Sequence, residues 1–75
     1  MEIIDQVLDI VAEIVETDRA GLTGATVLAG ISWDSLATVS FIAAADETFG
    51  KTLAPRKLTA CTTIGDLAAL VEAAE

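Results

Sequence analysis

Eight aliphatic residues within thirteen positions, Ile3, Ile4, Val7, Leu8, Ile10, Val11, Ile14 and Val15, fall on one side of a helix at 100° per residue. The stripe they form is about 160° wide, which suits a helix packed against two or three others. Glu2, Asp5, Gln6, Asp9, Glu13 and Glu16 occupy the opposite side and read as a solvated acidic face. A helix over residues 3–15 is therefore the first expectation.

Length sets the scale of the rest. Seventy-five residues make one small domain, spanning 1–75. Such a chain buries only about 60% of its unfolded surface. An apolar share of 53% is too high for disorder despite a net charge of −8. Twelve acidic residues against four basic ones exclude nucleic-acid binding and an anionic membrane surface, which would both repel the chain. They favour steered encounter with basic faces on partners.

The chemistry available is narrow. Cys61 is the single cysteine and there is no histidine. That removes an internal disulfide, the usual zinc sites and the Ser–His and Cys–His nucleophile arrangements. One cysteine, and Glu2 and Asp5 where a signal peptide would be basic, point to a reducing, cytoplasmic compartment. No apolar run approaches the length needed to span a bilayer. Met1 followed at once by the first helix points to a stand-alone protein, with a domain cut from a megasynthase as the alternative; a monomer is expected.

Residues 17–34 read as a long loop, broken by Gly21, Gly24 and Gly30 and pinned to the core by Leu22, Val27, Leu28 and Ile31. It ends in Gly30-Ile31-Ser32-Trp33, a turn-rich approach to Asp34-Ser35-Leu36. Loops longer than about 12–15 residues in a compact domain are often functional. A second helix is expected from Ser35 to Phe49, with Asp34 as N-cap and Gly50 as C-cap. Leu36, Val39, Ile42, Ala43, Ala45 and Phe49 are expected to be its covered residues. Ala37, Ser40, Ala44 and Glu47 are expected as a narrow exposed strip. Pro55 opens a short helical turn to about Ala60 that carries Arg56 and Lys57. A last helix starts at Thr63, where Thr63 and Asp66 have capping-box spacing. Without strand alternation or repeats, the fold is an all-α four-helix bundle of three main helices and one short one.

This layout places the Ser35 hydroxyl at a helix start, where backbone N–H groups and the helix dipole favour a negatively charged substituent. The chain as a whole resembles the acyl carrier and peptidyl carrier proteins. The wide first helix, the loop ending at Ile31, Asp34-Ser35-Leu36, Phe49-Gly50 and Cys61-Thr62-Thr63-Ile64 carry the resemblance. Asp-Ser-Leu alone recurs by chance; at the start of the second helix of a small acidic bundle it is specific.

The resemblance implies an acyl-carrier-like bundle that is not an enzyme. It implies that Ser35 carries 4′-phosphopantetheine, derived from coenzyme A, and that acyl, aminoacyl or polyketide intermediates ride on its thiol as thioesters. The implied partners are a phosphopantetheinyl transferase, which would read Asp34, Leu36 and Trp33, and the enzymes that load and process the cargo. Arg56 and Lys57 are docking candidates because basic residues are scarce. The family's acyl pocket would involve Val39, Ala43, Leu53, Leu58, Cys61 and Leu67, for which plain core packing is the competing reading. Ala37 and Ser40 stand where carriers of bacterial fatty-acid synthesis commonly have acids, and Arg56 and Lys57 fall on a helix that is commonly acidic. Both departures favour a specialised or secondary-metabolite carrier over a general fatty-acid carrier. An unmodified, carrier-like interaction module is the remaining alternative.

Overall fold

A computed structural model of the chain describes residues 2–31 and 33–74. Met1, and Ser32 in the approach to the second helix, lie outside the described residues. Four helices follow one another: α1 (Ile3–Ile14), α2 (Ser35–Phe49), α3 (Pro55–Thr59) and α4 (Ile64–Ala73). Short 3₁₀ turns at Arg19–Gly21 and Leu28–Ile31 divide the loop between α1 and α2. No strand occurs among the described residues, so the all-α bundle of three main helices and one short one is the observed architecture.

The expected face of α1 is the packed one. Val7, Leu8 and Val11 are buried, together with Ala12, and α1 packs against both α2 and α4. On the acidic face, Arg19 reaches back from the loop to Asp9 at 2.9 Å and Asp5 at 3.1 Å. All three side chains are substantially exposed, so this clamp orients the loop more than it stabilises the fold.

α1 ends without a glycine. Glu16 takes the left-handed conformation, φ 53°, and the Thr17 N–H closes onto the Ala12 carbonyl at 3.0 Å. That six-residue closure is the Schellman pattern, which normally places glycine at this position because a Cβ is penalised there. Glu16→Gly is therefore expected to raise stability by about 0.5–1 kcal/mol, read from the urea midpoint.

The loop is fastened to α4. The Leu28 N–H donates to the Thr62 carbonyl (2.9 Å), Ile64 N–H to Thr26 (3.1 Å) and Gly65 N–H to Gly24 (2.8 Å). Val27 and Thr63 pair as an isolated antiparallel bridge. The approach is so close that a Cβ on Gly65 would lie 2.9 Å from the Gly24 carbonyl oxygen.

The start of α4 is a complete capping box. Thr63 Oγ1 accepts from the Asp66 N–H at 3.2 Å, and Asp66 Oδ2 accepts from the N–H groups of Thr62 (2.9 Å) and Thr63 (3.1 Å). Those backbone donors, Thr62 first, hold the Asp66 carboxyl below its ordinary range. A lowered folded-state pKa contributes stability that is present above the ordinary carboxyl range and lost as pH falls through the lowered value. Asp66→Asn should accordingly flatten part of the stability loss below about pH 4, measured by thermal unfolding across pH.

α2 differs from the sequence expectation in its rotation. Phe41 is fully buried at 0% exposure, with Ala37 at 6% and Thr38 and Ala45 beside it. Leu36 is 74% exposed, Val39 62% exposed, and Ala43 also faces solvent. Ala37 is thus core rather than strip, and Leu36, Val39 and Ala43 are surface rather than core. The physical reason lies in Phe41, the largest side chain in the middle of the helix. Turning it inward brings Ala37, Thr38 and Ala45 with it, at 100° per residue, and the opposite arc must face water. Because α2 is apolar nearly all round, periodicity alone does not select its buried side.

Candidate functional site

Ser35 is the first residue of α2 and is exposed. The cap before it is made by Asp34, in extended conformation, whose Oδ1 accepts from the Ala37 N–H at 2.9 Å. The Asp34 carbonyl accepts from both the Thr38 N–H (3.0 Å) and the Thr38 hydroxyl (3.1 Å). This cap uses the third and fourth N–H groups of the helix. The N–H groups of Ser35 and Leu36 have no backbone partner among the described residues. The only carboxylate at this end is that of Asp34 itself; residues 35–37 of the first turn carry none.

The contrast with α4 is instructive. There the first two N–H groups, of Ile64 and Gly65, are taken by loop carbonyls, and the third by Thr63. Of the two capped helix starts, α2 alone has N–H groups without a partner among the described residues beside an exposed hydroxyl. A phosphodiester on Ser35 Oγ fits this end: its anionic oxygens meet the positive end of the helix beside the N–H groups of Ser35 and Leu36, which have no partner among the described residues.

Trp33 packs inward from the residue before the cap. Its ring meets Phe41 edge to face, centroids 6.0 Å apart at 66°. Its indole N–H is buried with no acceptor among the described residues. Trp33 thus ties the Ser35 approach to the core residue that sets the rotation of α2. On the other side, Leu36, Val39 and Ala43 form an exposed apolar strip leading away from Ser35 and ending at the exposed acids Asp46 and Glu47.

Arg56 and Lys57 are exposed on α3. The other two basic residues are engaged, Arg19 with Asp5 and Asp9, and Lys51 through Nζ with the Val71 carbonyl at 3.1 Å. Arg56 and Lys57 make no ion pair among the described residues, which leaves their charges available to a partner.

The six residues expected to line an acyl pocket are not brought together in one cavity. Leu53, Leu58 and Leu67 are closed into the core, whereas Val39 and Ala43 lie on the solvent side of α2. Cys61 is partly buried, and its thiol donates to the Lys57 carbonyl at 3.4 Å. Burial, with a smaller push from Asp66, raises the Cys61 pKa and keeps the thiol protonated. That is the behaviour of a packing residue rather than a nucleophile. Of the six, Leu53 alone lines either of two clefts among the described residues. One is between α1 and α2, and the other, lined by Thr52, Leu53, Ala54, Lys57, Leu70, Ala73 and Ala74, is between α3 and the end of α4.

Among the described residues there is no cluster of potential metal ligands, and no helix is long and apolar enough to cross a membrane. The family model described as "Phosphopantetheine attachment site" matches residues 5–71, from α1 through most of α4. Neither the curated proteins nor the solved structures searched give a significant match. Members of the matched family carry 4′-phosphopantetheine covalently on a serine and are carriers, not catalysts. Match and geometry agree across nearly the whole chain, and the chain belongs to the phosphopantetheine-attachment family of acyl and peptidyl carrier proteins.

Proposed function

We propose that Ser35 is the attachment site and that the chain carries acyl, aminoacyl or polyketide intermediates as thioesters. The observation that supports this reading best is an exposed serine hydroxyl at a helix start with two N–H groups unpartnered among the described residues, inside the family-matched region. In the loading step Ser35 Oγ attacks the phosphorus of coenzyme A that bears the pantetheine. The Oγ–P bond forms, the pyrophosphate P–O bond breaks, 3′,5′-ADP leaves, and the hydroxyl proton passes to a base on the transferase. The second oxygen of Asp34 is left free by the cap and is available to the transferase, directly or through a metal ion it holds.

Leu36 offers the transferase and later enzymes an apolar contact one residue from the arm, and Trp33 supports the segment from beneath. Carriers of this family visit a transferase and several biosynthetic enzymes, a duty that suits fast-exchanging docking.

We assign the pathway to specialised or secondary metabolism. Ala37 no longer supports that assignment, since it is buried. Ser40, half-buried on α2, and the exposed basic pair Arg56–Lys57 do support it, as they stand where carriers of bacterial fatty-acid synthesis commonly have acids.

Intact mass after incubation with coenzyme A and a broad-specificity phosphopantetheinyl transferase tests the reading. One added phosphopantetheine per chain is expected. An unchanged mass, with the chain folded and a known carrier modified in parallel, would move the assignment to an unmodified interaction module.

A further inference from the structure

Residues 50–65 hold three of the four basic residues and no acid, in a chain of net charge −8. Lys51 is engaged with the Val71 carbonyl, and Arg56 and Lys57 make no ion pair among the described residues. Lys57 is exposed and is the one charged residue that lines the cleft between α3 and the end of α4. Leu53 and Leu70, with small alanines beside them, make the walls of that cleft apolar. One wall is the connection from α2 to α3. Residues 51–54 there are neither helix nor strand, and Ala54 is extended (φ −82°, ψ 128°). The N–H groups of Thr52, Leu53 and Ala54 and the carbonyls of Thr52 and Leu53 have no backbone partner among the described residues. Such a row of donors and acceptors is a template for a second extended chain.

We propose that this cleft docks an extended, acidic segment of a partner protein. The segment pairs its backbone with residues 52–54, sets an apolar side chain between Leu53 and Leu70, and places a carboxylate on Lys57. Charge selects this occupant. The acidic remainder of the chain repels such a segment, and the one region with cations and no acids accepts it. The position suits an anchor. α2 is 15 residues long, about 22 Å, and Thr52 follows closely on its last residue, Phe49. The cleft therefore lies toward the opposite end of α2 from Ser35, and a partner held there leaves Ser35 uncovered. It gives a partner a hold on the chain apart from any contact made around the serine.

The cleft does not depend on Ser35 being modified, so it is tested on the unmodified full chain. The probe is a capped five-residue peptide that alternates leucine and glutamate. In amide-resolved NMR, saturable shifts are expected over residues 52–57 and 70–74. Exchanging the peptide's glutamates for glutamine should weaken binding about fivefold or more on the wild-type chain, and by less than about twofold on Lys57→Gln. On Arg56→Gln, which removes the same charge outside the cleft, the full difference should persist. N-methylation of the peptide backbone should abolish the shifts at Thr52, Leu53 and Ala54. No saturable shift in the cleft, equal binding of the N-methylated peptide, or a glutamate effect that Arg56→Gln removes as fully as Lys57→Gln does would overturn the proposal. Failure of the carrier reading would appear instead as an unchanged mass with this titration intact.

Discussion

Replacing Ser35 by alanine is expected to abolish phosphopantetheine addition, from one arm per chain to none, while leaving the fold unchanged. Under the proposed attachment the loss is complete, because Ser35 Oγ would be the attacking atom. Ser40 is half-buried in the middle of α2, where the helical backbone donors are already used. The fold survives because Ser35 is exposed and its side chain makes no hydrogen bond among the described residues. Alanine is also a better helix former, so the stability change should stay within about 0.5 kcal/mol. Asp34→Ala behaves differently: it removes the oxygen that caps Ala37 and should cost about 1 kcal/mol. Intact mass and urea unfolding on the same samples separate a lost nucleophile from a lost cap.

Phe41→Ala is expected to be the most destabilising single change in α2, at about 3–5 kcal/mol. A domain of this length has a total stability of about 4–11 kcal/mol, so the variant should be near or past unfolding at room temperature. Leu36→Ala and Val39→Ala, which truncate larger apolar residues than their alanine neighbours, should each cost no more than about 0.5 kcal/mol because both side chains face water. The three variants together test the rotation of α2. Comparable losses at positions 36, 39 and 41 would mean that the strip beside Ser35 is core, and the docking face would be lost with it.

What could be read from the sequence was local. The α1 stripe, the Asp34 cap, Pro55 at the start of α3 and the Thr63–Asp66 box each involve residues within one or two turns of each other, and each is found in place. Gly50, at φ 67°, closes α2 as expected. The placement of the Ser35 hydroxyl at the start of α2 was legible for the same reason, since a residue beside a cap is specified by its immediate neighbours. The rotation of α2 was not legible, because a helix with apolar residues on every side takes its orientation from what packs against it. Here that is decided by Phe41 and by Trp33 meeting it from the loop. The acyl-pocket residues failed to converge for the related reason that Val39 and Ala43 turned outward with Leu36. The left-handed Glu16, the Arg19 clamp and the loop carbonyls that fill the start of α4 all depend on chain segments meeting in space. The last of these matters most for function, since it leaves α2 as the capped helix start whose first N–H groups lack a partner among the described residues.

The central claim is that Ser35 holds the arm. Its most direct test is fragment-resolved mass spectrometry of the chain after reaction with coenzyme A and the transferase. The predicted result is a single phosphopantetheine on Ser35, with Ser32 and Ser40 unmodified. An arm found on any other residue, or no arm on a folded chain beside a modified control carrier, would contradict it.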